Sequence, residues 1–347
     1  MDQPFVDYLT SRLPLVEQAL ADAAATPLSE GRIATDLERY LYLPLARFTS
    51  SGGKRVRPVL ALLGSEAVGG TAEDALSCAV AVELFQSAAL IHDDIADEGE
   101  LRRGEPCLHR VEGEGLAINA GDLALTQVFE VVLADEALNP GRKVRALTEL
   151  MRMERHTLEG QALDLGWVRD ARWDVTSDDY LYMVTSKTAW YSAAIPLLVG
   201  AIVGGGSEEA ARGLLAVGLS AGVAFQLQDD LLNLVGDAEA QGKDLRSDIT
   251  EGKRTLAVVW ALEHLGEKDR AELVGILDSR ATDAGTLARA VELIELGGGI
   301  ERCRALAREL ADDAKRRASD LADGGCISVE ARDLLSSMAD FFVERAG

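Results

Sequence analysis

The chain has 347 residues, of which 48% are hydrophobic, 27% charged and only 5% aromatic. That balance excludes a disordered chain and allows a large core, and the abundance of alanine and leucine with only eight prolines favours helix. A formal net charge of −23 leaves no basic stripe for nucleic acid, so any anionic substrate needs local cations and metal.

Helical periodicity runs through residues 5–25, 31–49, 55–68, 72–98, 118–137, 140–166 and 177–203, then 207–238, 255–266, 268–279, 283–297, 299–322 and 328–345. The breaks coincide with Ser51-Gly52-Gly53, Gly69-Gly70, Asn139-Pro140-Gly141, Gly204-Gly205-Gly206 and Gly297-Gly298-Gly299, which read as helix C-caps and turns. No segment alternates as a strand does, and no breaker is long enough to divide the chain. The reading is all-α, with residues 1–347 as one helical domain. Cys78, Cys107, Cys303 and Cys326 have neither zinc-like nor disulfide-like spacing, which points to a reducing compartment. Met1-Asp2-Gln3-Pro4 does not resemble a signal peptide, and the apolar stretch Ala193 to Val203 is too short to span a bilayer. A cytoplasmic protein without stable membrane insertion is therefore expected.

Two acidic clusters stand out, Asp93-Asp94-Ile95-Ala96-Asp97 and Asp229-Asp230-Leu231-Leu232-Asn233, each led into by an apolar segment. On a helix Asp93 and Asp97 share a face, and Asp94 lies at its edge. Converging carboxylates repel unless a cation intervenes, and oxygen-only ligands suit Mg²⁺, which leaves positions open for substrate phosphates. Two such clusters suggest a helical cavity that grips a diphosphate through magnesium. Two other pairs serve as controls: Asp178-Asp179 reads as a helix N-terminus, and Asp312-Asp313 as a solvated face beside Lys315-Arg316-Arg317. Cations follow at set places. Lys54, Arg55 and Arg57 come just after Gly52-Gly53, Arg102-Arg103 follows the first cluster, Lys187-Thr188 lies on a later helix, and Lys243 and Lys253 follow the second cluster.

Taken in order, GGKRVRP, DDIAD with its RRG, GQALDL, KT, FQLQDD and GK resemble the trans-isoprenyl diphosphate synthase family across roughly 200 residues, Gly52 to Lys253. The resemblance implies a bundle around a central cavity that joins isopentenyl diphosphate to an allylic diphosphate. It assigns Lys54, Arg57, Gln86 and Arg103 to isopentenyl diphosphate, and Arg102, Lys187, Lys243 and Lys253 to the allylic diphosphate. The metal candidates are Asp93, Asp94, Asp97, Asp164, Asp229, Asp230 and Asn233, holding three Mg²⁺ per active site, with Mn²⁺ able to substitute. Thr188 and Gln226 fall near the breaking carbon–oxygen bond, and departing diphosphate takes the final proton, so His92 reads as a core or supporting residue. Strict metal dependence is expected, because no cation near the first cluster is available to replace the ion.

Asn233 stands where many relatives carry a third Asp, which replaces a charged ligand with a neutral one. Ala88 and Ala89 cannot stop a growing tail, so Phe85, with Phe129 on a neighbouring helix, is expected to close the floor at about twenty carbons. Longer-chain and farnesyl products are the alternatives. A class I terpene cyclase needs no second diphosphate site, which GGKRVRP and Arg102-Arg103 supply, and a non-catalytic subunit is disfavoured by the surviving Lys187 and Lys243. The resemblance also implies a homodimer.

Overall fold

The structure, a computed structural model, describes residues 4–236 and 246–344. It is helical, as its periodicity predicts: α1 (Pro4–Asp22), α2 (Gly31–Leu37), α3 (Leu43–Ser50), α4 (Val56–Ala67), α5 (Leu76–Ala96), α6 (Leu108–Glu112), α7 (Glu114–Ala134), α8 (Pro140–Arg169), α9 (Ser177–Val184), α10 (Ile195–Val203) and α11 (Glu208–Val235). The short α12 (Ser247–Thr250) follows, then α13 (Leu256–His264), α14 (Glu267–Asp278), α15 (Ala284–Leu296), α16 (Gly299–Asp323) and α17 (Val329–Glu344). Two stretches that the pattern predicts as plain helix contain π-helical turns, Glu38–Tyr42 and Thr185–Ala194. A two-residue hairpin, β1 (Leu101–Arg102) and β2 (Glu105–Pro106), pairs Leu101 with Pro106 and Arg102 with Glu105. Its ladder is too short to leave a periodic signal. Arg103 and Gly104 both have positive φ, as the tight primed hairpin turn requires.

The chain forms two compact units, each discontinuous in sequence. The first comprises Met1–Glu154, Ile195–Leu215 and Leu321–Leu334, and the second Arg155–Ala194, Ala216–Asp320 and Leu335–Gly347. In the first unit α4 packs on α10 so closely that a Cβ at Gly200 would lie 2.0 Å from the Ala61 carbonyl oxygen. There α5 packs on α7 through small side chains, with Ala88, Ala117, Ala120 and Ala124 clustered around Leu45 and Phe48 of α3. In the second unit the core is aliphatic and drawn from Leu227, Leu231 and Leu234 of α11, Val258 of α13, Leu273 and Leu277 of α14, and Ile294 of α15.

Among the described residues four helical stretches are long and apolar enough to cross a membrane, one of them 177–203, which contains Ala193 to Val203. Length therefore does not exclude a span there. In that stretch 83% of the apolar window is buried inside the protein. The four cysteines are free.

Candidate active site

In the first unit α5 carries the first cluster on its last turn. The helix ends at Ala96, and Asp97 caps it with its N–H still bonded to the Asp93 carbonyl at 2.9 Å. Asp93 and Asp97 therefore share one face, both half-buried. Asp94 differs from the expectation of an edge position: it is 3% exposed and turned into the protein. Arg102, carried back by the hairpin, donates to Asp94 Oδ1 from Nε at 2.8 Å and also from Nη2. A cation thus does stand beside the first cluster, contrary to the sequence reading, because the turn at Arg103-Gly104 reverses the chain. Asp94 Oδ2 is buried and accepts no hydrogen bond from nitrogen or oxygen. Next to this carboxylate the Cys107 thiol is pushed up to about 11, by burial first and then by the Asp94 charge.

The same hairpin joins two motifs far apart in sequence. Arg103 donates from Nη1 to the Gly52 carbonyl and to Ser51 Oγ at 3.3 Å, and its guanidinium lies 3.1 Å from where a Cβ on Gly53 would stand. The three cations after that turn separate by role. Lys54 is exposed and Arg57 half-buried, whereas Arg55 is 3% exposed and faces inward. Arg55 donates from Nη1 to buried Glu83 at 2.5 Å and from Nε to Glu17 at 2.7 Å. Removing one partner of a buried pair of this kind leaves a stranded charge and costs about 3–5 kcal/mol. Gln86, with its amide set to suit its neighbours, donates to Glu83 Oε2 at 3.1 Å and accepts from Arg57 Nη1 at 2.9 Å. Glu83 thereby fastens the two halves of the cation turn, a role that no sequence spacing announces.

In the second unit the π-helical segment carrying Lys187 and Thr188 is held closely on two sides. A Cβ on Gly160 of α8 would lie 2.3 Å from the Lys187 nitrogen, and those on Gly218 and Gly222 of α11 would lie 2.4 and 2.7 Å from Ala194 and Ala189. Only glycine permits these approaches. One turn before Gly160 on α8, His156 stacks on Trp190 at 4.0 Å, and one turn after it Asp164 accepts from Lys187 Nζ at 2.5 Å. Thr188 is buried. Such π-turns often mark functional positions.

The second cluster is dominated by hydrogen bonds. Buried Asp230 accepts from the Tyr180 hydroxyl at 2.6 Å on Oδ2 and from Gln226 Nε2 at 2.7 Å on Oδ1. Its pKa is pushed up to about 6 by burial, against the pull of those two bonds, with the Asp229 and Asp164 charges adding to the rise. Asn233, also expected as a ligand, instead accepts the Asp248 N–H at 3.2 Å and donates to Ser247 Oγ at 3.1 Å. Asp229 is half-buried. Lys253 Nζ lies 2.5 Å from Glu251. Lys243 falls outside the described residues.

Among the described residues no three His, Cys, Asp or Glu side chains converge as a complete metal cage. The carboxylates of Asp93 and Asp97, half-buried on one face of α5, suit a cation which takes one or two carboxylates and completes its shell with phosphate and water. The buried, undonated Asp94 Oδ2 fits the same demand.

Three expected positions come out differently. Ala88 is fully buried among α3 and α7 residues and borders no open space. Phe129 is half-exposed and lines an open groove along α7 with Leu125 and Leu133, where the sequence reading placed it in an enclosed floor. His92 is no core residue: its ring is partly exposed, 3.3 Å from the Ile118 carbonyl, in space left open by Gly121. The controls hold. Asp179 completes a capping box with Thr176, and Asp312 and Asp313 pair with Lys315, Arg316 and Arg317.

Comparison with known proteins decides the family, since the Polyprenyl synthetase profile matches residues 38–294. The chain belongs to that family. It is 43% identical over 296 residues to the short chain isoprenyl diphosphate synthase of Methanothermobacter thermautotrophicus, covering 85% of this chain and 87% of that one. Against the geranylfarnesyl diphosphate synthase of Natronomonas pharaonis it is 35% identical over 97% of each chain. A crystal structure of geranylgeranyl pyrophosphate synthase from Corynebacterium glutamicum, complexed with isoprenyl diphosphate and magnesium, superposes with a TM-score of 0.81 at 30% identity. It covers 99% of this chain and 100% of that one. The chain is a trans-prenyltransferase of isoprenoid biosynthesis, and its substrates are isopentenyl and allylic diphosphates.

Proposed function

We propose that this enzyme works as a single domain on two diphosphates held by different residues. Lys54, Arg57, Arg103 and Gln86 take isopentenyl diphosphate. Asp93, Asp94, Asp97 and Asp229, with Asp164, take the allylic diphosphate through three Mg²⁺ ions, for which Mn²⁺ substitutes. The observation that carries this reading is the hairpin, which joins the Gly52–Arg57 cation turn to the first acidic cluster through Arg103 and Arg102. Bound metal supplies the positive charge that makes diphosphate a good leaving group. Lys187 and Lys253, with Lys243, neutralise the departing group, and Arg102 exchanges Asp94 for it as the site fills. Thr188 and the Gln226 carbonyl oxygen offer lone pairs to the allylic cation, while a dry site keeps water from capturing it.

Product length follows from α5. Phe85, Ala89, Asp93 and Asp97 recur every fourth residue on one stripe, open at Ala89 and closed at buried Phe85. A small residue one turn below the acids and an aromatic two turns below supports a product of roughly C20–C25, as do the names of the relatives. Exposed Ile118 and Leu133 on α7, with the groove at Leu125 and Phe129, support a homodimer, and the archaeal and bacterial relatives support a cytoplasmic enzyme. Incubation with isopentenyl diphosphate, each allylic starter and Mg²⁺, followed by product chromatography, tests the assignment. An all-trans product in this range is expected, and cyclic hydrocarbons or no transfer overturn it.

A further inference from the structure

The stretch 246–254 is fastened at both ends by residues outside the reaction. At its start Asn233, nine-tenths buried, uses every polar atom it can. Its carbonyl accepts the Arg246 N–H at 2.9 Å, its Oδ1 accepts the Asp248 N–H at 3.2 Å, and its Nδ2 donates to Ser247 Oγ at 3.1 Å. Arg246 sits at φ +65°, a conformation that persists in a non-glycine residue only where its surroundings fix it. At the other end Arg254 is 2% exposed. Its Nε donates to the Arg172 carbonyl at 2.9 Å, its Nη1 donates to the Gly252 carbonyl, and its guanidinium lies 3.8 Å from the centre of the Trp173 ring. Between these anchors the Lys253 N–H donates to the Asp248 carbonyl at 2.8 Å, closing the turn.

A lysine ammonium on four rotatable bonds is a mobile charge, and holding its backbone reduces the ordering that phosphate binding must otherwise supply. The neutral amide suits this task better than a carboxylate. It accepts and donates at once, and it adds no charge beside Asp229 and Asp230. We infer that Asn233 and Arg254 are positioning residues that clamp Arg246–Arg254 so that Lys253 meets the allylic diphosphate at a fixed place. This rests on the assignment of Lys253 to that diphosphate.

The test combines kinetics with hydrogen exchange. Asn233→Ala and Arg254→Ala should each raise the allylic KM about five- to tenfold, the scale of one lost hydrogen bond, and leave the isopentenyl diphosphate KM and the half-saturating Mg²⁺ concentration unchanged. In a Lys253→Ala background neither change should add anything, because both act through that lysine. Amide exchange across residues 247–253 should quicken in both variants without metal or substrate. Asn233→Asp keeps the acceptor for Asp248 and should stay within about twofold of wild type in KM. Should Arg254→Ala not fold, Arg254→Lys keeps a cation on Trp173 while losing the bond to Arg172, and replaces it. Full additivity with Lys253→Ala, unchanged exchange, or a Mg²⁺ requirement that rises in Asn233→Ala and falls in Asn233→Asp would overturn the clamp. An unaltered allylic KM in Lys253→Ala overturns the Lys253 assignment itself, and the exchange data tell that failure apart.

Discussion

The two acidic clusters solve the same electrostatic problem by different means. In the first, an arginine on a short hairpin neutralises Asp94, and the other two carboxylates stand half-open on one helix face. In the second, neutral donors from Tyr180 and Gln226 hold Asp230, and the Asn233 amide bonds to Ser247 and Asp248. A charge countered by a charge is easily exchanged for another cation. A charge held by buried hydrogen bonds is fixed in place. The first cluster is therefore suited to receive, and the second to align.

That contrast can be broken most forcefully at the first cluster. Asp93→Ala and Asp94→Ala should each lower kcat by about a hundredfold or more with helical content retained, as for loss of a principal transition-state charge stabiliser. Transfer that survives chelation of divalent metal would remove the basis of this expectation. Next in size, Lys187→Ala should weaken the allylic substrate roughly tenfold or more, whereas Lys54→Ala or Arg57→Ala should do so for isopentenyl diphosphate. Steady-state kinetics with both substrates varied decide it, since equal effects on both would dissolve the division of labour.

Packing offers a sharper probe. Gly160→Ala places a methyl 2.3 Å from the Lys187 nitrogen and should cost about 1–3 kcal/mol in urea unfolding, with a fall in kcat. Gly166→Ala, on the same helix with nothing within 4 Å, should instead stabilise by about 0.5–1 kcal/mol. For product length, Ala89→Phe should shorten the product toward fifteen carbons, since Ala89 is on the open stripe. Ala88→Phe should act mainly on stability, by about 1–3 kcal/mol, because fully buried Ala88 packs against α3 and α7. Chromatography of the products together with thermal melts separates the two; a shorter product from Ala88→Phe at unchanged stability would return the wall to that position.

The smallest effect concerns Glu154 of α8. Burial pushes its carboxyl up to about 7 from 4.5, and Oε1 has no hydrogen-bond partner. Between those two values the folded chain binds a proton that the unfolded chain has released, so this group lowers stability as pH rises through the window. Glu154→Gln should raise the melting temperature at pH 8 and leave it unchanged at pH 4. A gain of equal size at both would show that charge is not the cause.

Most helices were legible because glycines and prolines punctuate an otherwise continuous 3.6-residue rhythm; 140–166 and 299–322 lie within three residues of the observed ends. Elements shorter than two turns, such as α6, α12 and the hairpin, carry no rhythm to read. Both acidic clusters and their cations were legible because motif spacing along one chain preserves order. The inward turn of Arg55, the bond from Tyr180 to Asp230 and the clamp by Asn233 were not, since each depends on a partner that only folding brings near. Ala88 and Ala89 show the limit most plainly. Their neighbouring positions differ by 100° around the helix, and only the packing of α7 tells which one is open.

The π-helical turn at Thr185–Ala194 has a consequence for how this stretch tolerates changes in length. A π-turn accommodates an extra residue within a helix that would otherwise run straight. Deleting one residue between Ala189 and Ala194 would let the backbone relax toward the tighter α geometry, and the helix itself need not be weakened. Because the wide turn is what absorbs the extra residue, removing one there would leave the residues on its two sides in phase, and Lys187 would keep its approach to Asp164. A deletion in α9 has no such slack and would turn the residues on its two sides by about 100° relative to each other. The stretch is thus tolerant of shortening inside the π-turn and intolerant of it in the α-helix that leads into it.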